Sequence, residues 1–217
     1  MAYDFVKASS QYLSVAHTTA LNTPSSITVA GFVFRGSDLT TSQHVAAKYL
    51  GTGNQRGWLL TIDTAGKVFV IVSSNGLLTT DRLSSAAISA EWTHVAFTFT
   101  GTSAQPNIYL NGSLSNGAAS TGLTGIFNNT ADLTFGINSN KTGNPFGGKL
   151  AEVGIYNAAL TAAEIASLAD GMTPDKIRPQ SLVFYAPLVR NLQDVKGGLT
   201  ITNNNAATVA NHPRVYA

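Results

Sequence analysis

Short runs of apolar residues, some alternating with polar ones and some continuous, recur along most of the chain between turn formers. They predict strands at 11–16, 27–34, 45–50, 57–63, 67–73, 93–100, 107–111, 132–137 and 149–156. The clearest hairpin joins Trp58 to Val72 through Asp63-Thr64-Ala65-Gly66, where Gly66 supplies a left-handed backbone position. Asn111-Gly112 predicts a second tight turn, because both residues tolerate positive φ. In 93–100, Val95, Phe97 and Phe99 share one side while His94 and Ala96 lie on the other. A strand apolar on both sides belongs in the middle of stacked sheets. Many such strands at short spacing predict an all-β, two-sheet antiparallel sandwich of the jelly-roll kind.

One short helix interrupts this pattern. Thr161 and Glu164 form a capping box, in which each side chain satisfies an orphan N–H of the first turn. Leu160 and Ile165 are spaced as its hydrophobic staple, with Gly171 and then Pro174 as terminators. Beyond the helix, residues 171–180 read as an extended connector, 181–191 as one more strand, and the remainder as an Asn- and Ala-rich tail. About 40 residues without metal or disulfide are too few for a separate core. The expected organisation is a sandwich over 1–171 and an arm over 172–217, packed on that sandwich or on a neighbouring subunit.

The chain has 217 residues, of which 44% are hydrophobic and only 11% charged. Ser, Thr and Asn number 61, so neutral groups make the surface polar. A net charge of +2 gives no electrostatic grip on nucleic acid or an acidic membrane. The absence of cysteine removes disulfides, thiolate metal sites and a cysteine nucleophile. No apolar run is long enough to span a membrane. The first ten residues lack the basic and apolar regions of a secretory signal, so the expectation is synthesis in a cytoplasm.

Trp92-Thr93-His94-Val95-Ala96-Phe97-Thr98, Ile108-Tyr109-Leu110-Asn111-Gly112, Leu133-Thr134-Phe135-Gly136 and the run from Gly148 to Ile165 resemble the laminin-G-like, concanavalin A-like lectin/glucanase superfamily. The last piece, a strand feeding a capped helix, is the most specific. Phe5 to Val15 fits the family's opening strand. Arg178 to Leu188, with His212-Pro213-Arg214, resembles a tail on laminin-G-like proteins of tailed bacteriophages. The resemblance implies a virion component, made in the host cytoplasm.

It also implies site chemistry to look for. Members often bind calcium through an acid near the opening strand and another before the helix. Here Phe5-Val6-Lys7 and Ala151-Glu152-Val153 lack the matching aspartates, leaving Asp4 and Glu152 as contributors, and the pattern disfavours the ion. No cofactor is expected. The four histidines show no paired spacing for zinc. His44, just before the predicted strand 45–50, and Lys48 within it are four apart and would share a strand face without an evident task. Glucanase chemistry needs two acids projecting from one face. The chain has three glutamates, Glu91, Glu152 and Glu164, the last spent as a cap, so catalysis is not expected.

Sugar recognition needs amides and an aromatic surface. Asn54 and Arg56 before Trp58, and Asn138, Asn140, Lys141 and Asn144 in one amide-rich loop, are the candidate glycan-binding residues. Trp58 alternates with Leu60 and Ile62 and therefore reads as core. The sequons at Asn111, Asn128 and Asn140 read as turn chemistry. The expected function is a non-catalytic phage structural protein, such as a capsid decoration or tail-associated surface protein. Its expected partners are capsid or tail proteins and further copies of itself, for example in a trimer. The alternative is a carbohydrate-binding adhesion or receptor-recognition module that touches host-surface glycan.

Overall fold

The predicted strands become two antiparallel sheets stacked face to face. The computed structural model describes residues 1–23, 25–102, 105–189 and 191–216. In chain order the first strands are β1 (Ala2–Phe5), β2 (Tyr12–Val15), β3 (Ser26–Arg35), β4 (Gln43–Leu50), β5 (Gln55–Ile62) and β6 (Lys67–Ser73). Next come β7 (Thr79–Ala87), β8 (Thr93–Thr100), β9 (Asn107–Leu110), β10 (Ser113–Leu114), β11 (Asn116–Ala119) and β12 (Leu133–Phe135). The rest are β13 (Gly148–Tyr156), helix α1 (Ala162–Ala169), β14 (Leu182–Ala186), β15 (Thr202–Asn204) and β16 (Thr208–Ala210). The first sheet has the order β10-β9-β8-β3-β13-β1-β16, and β14 also pairs with β13. The second has the order β11-β7-β6-β5-β4-β12-β2-β15.

Alternation carries one face of each sheet into a shared core. Val29, Val33, Val95, Phe97, Phe99 and Ile155 of the first sheet join Trp58, Leu60, Ile62, Val70, Val72 and Phe135 of the second. Trp58 is 3% exposed and its ring centroid lies 5.9 Å from that of Phe97, so it is core as expected. The first sheet is apolar on its other face too. Ala30 and Ala96 sit opposite each other there, and their small side chains let Leu160, Ile165 and Leu168 pack down on Tyr109 and Tyr156. The capping box of α1 is formed in full. At its other end Gly171 (φ 101°) and Met172 donate back to Leu168 and Ser167, closing a Schellman turn.

Polar strands escaped the periodicity. In β7 the buried positions are Thr80 and Ser84, and Ser84 Oγ accepts from Val68 N at 3.0 Å. The arm after α1 adds β14 to β13, β15 to β2 and β16 to β1. It thus supplies an edge strand to each sheet. β1 pairs with Gly148–Leu150 and β14 with Val153–Tyr156 of the same strand, β13. Between those stretches Glu152 takes a left-handed backbone (φ 55°), where the register with β3 shifts.

Candidate functional site

The six predicted glycan contacts fall on two connections that the fold partly joins. The turn between β4 and β5 holds Asn54 in the left-handed region (φ 54°), and Arg56 follows at the start of β5. The loop between β12 and β13 runs alongside β4. Ser139 Oγ accepts from Tyr49 N at 2.8 Å, and Asn140 Oδ1 accepts from Gly51 N at 3.0 Å. Lys141 Nζ reaches Asp132 Oδ2 at 2.8 Å. That carboxylate raises the Lys141 pKa. Asn140 and Lys141 therefore stand beside the 51–54 turn, at one end of the sandwich.

The other members are held elsewhere. Arg56 donates to the Leu77 carbonyl at 2.7 Å and so faces the β6–β7 turn, where Leu77 and Leu78 are 51% and 54% exposed. Asn138 is half-buried, and its Oδ1 faces inward without a partner among the described residues. Asn144 is exposed, but its carbonyl takes the His44 N–H at 2.9 Å, at the opposite end of β4. Six residue steps along β4 lead from His44 to Leu50, a span of roughly 20 Å. Asn144 therefore lies apart from Asn140. The sequon amides are all engaged. Asn111, Asn128 and Asn140 accept from His94 N, Thr23 N and Gly51 N respectively.

Beside this end lies a polar cluster that sequence reasoning did not assemble. Lys48 is 4% exposed, and its Nζ donates to Asn129 O (2.7 Å) and Asn129 Oδ1 (2.8 Å). It also lies 3.2 Å from His17 Nδ1. The Asn129 amide in turn donates to Lys48 O and Gln55 O across the β4–β5 ladder. A Cβ on Gly57 would run into the Lys48 carbonyl and this amide. Burial pushes the lysine pKa down to about 8, and Asp132 opposes the shift. A lysine inside an otherwise apolar strand was the available signal. The expectation that His44 and Lys48 share a face is corrected. His44 pairs with Thr61 and Lys48 with Trp58, and the register shifts between His44 and Ala46. Lys48 therefore sides with the core and His44 with the outer face.

The acids left by the resemblance do not form an ion site. Asp4 sits opposite Lys149 in the β1–β13 register. Glu152 is 5% exposed; it accepts from Tyr185 Oη, and its other oxygen lies 2.9 Å from His212 Nε2. Burial, and then the Glu152 bond, push the Tyr185 pKa far up, so the phenol stays a donor. Among the described residues no three His, Asp or Glu side chains gather closely enough to hold a metal. A calcium ion wants several free oxygens. The donor set here does not fit one. Glu164 is held by Thr161 and by Arg178, whose Nε and Nη2 donate at 2.8 and 2.6 Å. Burial raises its pKa, but these partners outweigh that and leave it below the usual carboxylate range.

Solved structures share this architecture. A protein from Bacteroides ovatus, described as a candidate carbohydrate binding protein, superposes with a TM-score of 0.64 at 21% identity. The match covers 97% of this chain and 61% of that one. A heptameric SAP-like pentraxin from Limulus polyphemus matches at 0.51 and 11% identity, over 94% of this chain and 96% of its own. The binding domain of botulinum neurotoxin serotype G matches at 0.55 and 15%, over 73% of this chain and 40% of its own. At these identities the likeness is one of fold. No curated protein matches the sequence. A laminin G-type family profile matches residues 7–166, which is most of the chain. With two stacked antiparallel sheets and the capped helix in place, the chain belongs to the concanavalin A-like lectin/glucanases superfamily.

Proposed function

We propose that this chain is a non-catalytic recognition module that binds carbohydrate at the loop end of the sandwich. The observation that carries the reading is the coupling of the 51–54 turn to the 138–144 loop through the Gly51–Asn140 bond. It fixes the Asn140 amide beside the turn that carries Asn54, while Asp132 holds the neighbouring Lys141 ammonium. Fixed polar groups bind hydroxyls without a large ordering cost. The Bacteroides protein and the toxin domain, whose descriptions name carbohydrate binding and binding, favour the same reading. The scatter of the glutamates favours a role without catalysis. Glu164 caps α1, Glu152 is enclosed by Tyr185 and His212, and Glu91 is exposed just before β8. A glycan array probed with folded protein tests the proposal. Saturable binding that weakens in Lys141→Ala with unchanged Tm, and weakens further in Asn140→Ala, which also releases the Gly51 N–H, is expected. An array without signal overturns it.

A second reading concerns where the module is carried. The low charge and the phage-like segment Arg178–Leu188 favour the surface of a tailed-phage particle. There the chain would decorate capsid or tail as a homo-oligomer, with any contact to host glycan secondary. A protein short of charge associates with neighbours readily. Mass spectrometry of purified particles should find the chain in fixed stoichiometry, and light scattering should find a closed oligomer.

A further inference from the structure

We infer that the open groove of about 510 Å³ between β1 and residues 191–200 is a separate binding site for a neutral oligosaccharide. The inference rests on the carbohydrate reading above but places a ligand elsewhere. The groove is lined by Tyr3 and by residues of the arm, all outside the 7–166 stretch that the family profile matches. Its volume falls within the range of about 300–1,000 Å³ usual for small-molecule sites.

The wall is stiff. Asp194 is fully buried, and its carboxylate accepts from the N–H groups of Tyr185, Lys196, Gly197 and Leu199. Gln193 and Thr200 bridge across the base of this turn. Leu192 and Leu199 are half-buried and rest on the main core, which gives the groove an apolar floor. Asn191, Gln193 and Thr200 are exposed, and among the described residues their side chains make no hydrogen bond within the chain. Two amides and a hydroxyl thus offer both donors and acceptors, unspent, above that floor.

Charge selects the ligand. Among the described residues no charged side chain lines the groove. Among the described residues, the charged neighbours of the lining are turned away or spent: Asp4 alternates with Tyr3 to the other face of β1, Asp194 is spent on backbone N–H groups, and Lys196 on the Pro179 carbonyl at 2.9 Å. Burial raises the Tyr3 pKa, so the phenol stays neutral. An ion would lose its hydration without a counter-charge. A wholly apolar ligand would strand the amides unpaired. A sugar ring has hydroxyls for the amides and a C–H face for the leucines, so it satisfies both halves.

The test follows backbone amide chemical shifts of the full chain titrated with maltohexaose, cellohexaose and chitohexaose. At least one should shift the amides of residues 191–193 and 198–200. Asn191→Ala combined with Gln193→Ala should weaken that binding by roughly tenfold, the scale of two neutral hydrogen bonds, with unchanged Tm. Shifts confined to residues 51–56 and 138–144 would overturn the groove site and leave the loop-end proposal standing. Shifts at neither place, with an array that still binds other glycans, would overturn the groove alone. Shifts at neither place with a silent array would remove both. Groove shifts that follow protein concentration rather than sugar would make the occupant a second copy and overturn the inference.

Discussion

The two sheets are built to similar size but are buried differently. The first is covered on both faces. Helix α1 lies over Ala30, Ala96 and Tyr156, while Val215 and Trp92 pack over Ala2, Phe32 and Ala151. The second is sealed on its inner face but only in part on its outer one, where Leu59 and Thr61 of β5 are buried. On its outer face Phe69, Ile71 and Leu83 remain half-buried, and the 137–146 loop runs beside β4 alone. A sheet enclosed on both sides contributes mainly to stability, whereas one with a partly open face and a crowded loop end has surface to spend on contact. The sharpest way to break this comparison is to truncate the same kind of side chain on each outer face. Leu168→Ala, at 2% exposure, opens the helix-sheet interface and should cost about 2–5 kcal/mol in denaturant unfolding. Ile71→Ala should cost less than about 1.5 kcal/mol, because much of its surface is already in water. Equal losses would show that the outer faces are alike.

Acid should strain both sheets, and the first sheet more. His94 lies on the outer face of the first sheet against Phe32, with ring centroids 5.1 Å apart; burial lowers its pKa to about 3. His44, on the second sheet, is lowered by burial to about 4. Both imidazoles are neutral in the fold, and the unfolded chain takes up their protons first, near pH 6.5. Their contribution is therefore whole above pH 6.5 and is lost as pH falls toward 4 and 3. A Tm drop of roughly 5–10 °C between pH 7 and 4 is expected. His94→Gln should flatten the profile more than His44→Gln. A flat profile in the parent chain would show that neither imidazole is shielded.

The same comparison marks what was legible in the sequence. The strand sequences of β6 and β8 both read as apolar on two faces. Only β8 is enclosed on both, because coverage depends on which elements cross overhead, and a strand's own residues do not encode that. The helix, its cap and its stop were legible, since each depends on local chemistry at fixed spacing. β7 was not, because its buried positions carry Thr80 and Ser84, satisfied by hydrogen bonds instead of apolar contact. At the candidate site the amide-rich segments were visible as composition. Their division along β4 was not, because it follows from tertiary bonds such as Asn140 to Gly51 and Asn144 to His44. The Lys48 cluster needed residues from four segments, and the groove needed the arm to fold back on β1.

A smaller effect tests how the cover of the first sheet is held. Thr161 Oγ1 accepts from Glu164 N at 3.3 Å, and Glu164 returns the contact at Thr161 N at 2.7 Å. Thr161→Ala should cost about 1 kcal/mol by thermal or denaturant unfolding. Adding Leu168→Ala should give less than the sum, because a frayed helix no longer presents that leucine to the sheet. Strict additivity would mean that the helix is held by its apolar face alone.

The smallest effect belongs to the loop end. The Lys141–Asp132 pair spans 2.8 Å with side chains 40% and 31% exposed, and water screens a pair this open. Lys141→Ala should change unfolding free energy by no more than about 0.5 kcal/mol, and less still in added salt. Asp132 also accepts from His17 N at 3.0 Å, so Asp132→Ala should cost more than its partner. If Lys141→Ala proved as costly as Leu168→Ala, the loop end would be part of the stabilising frame, and the division of labour between the sheets would fail. If it is silent in stability, any loss of glycan binding in the same variant reports contact with the ligand and not unfolding.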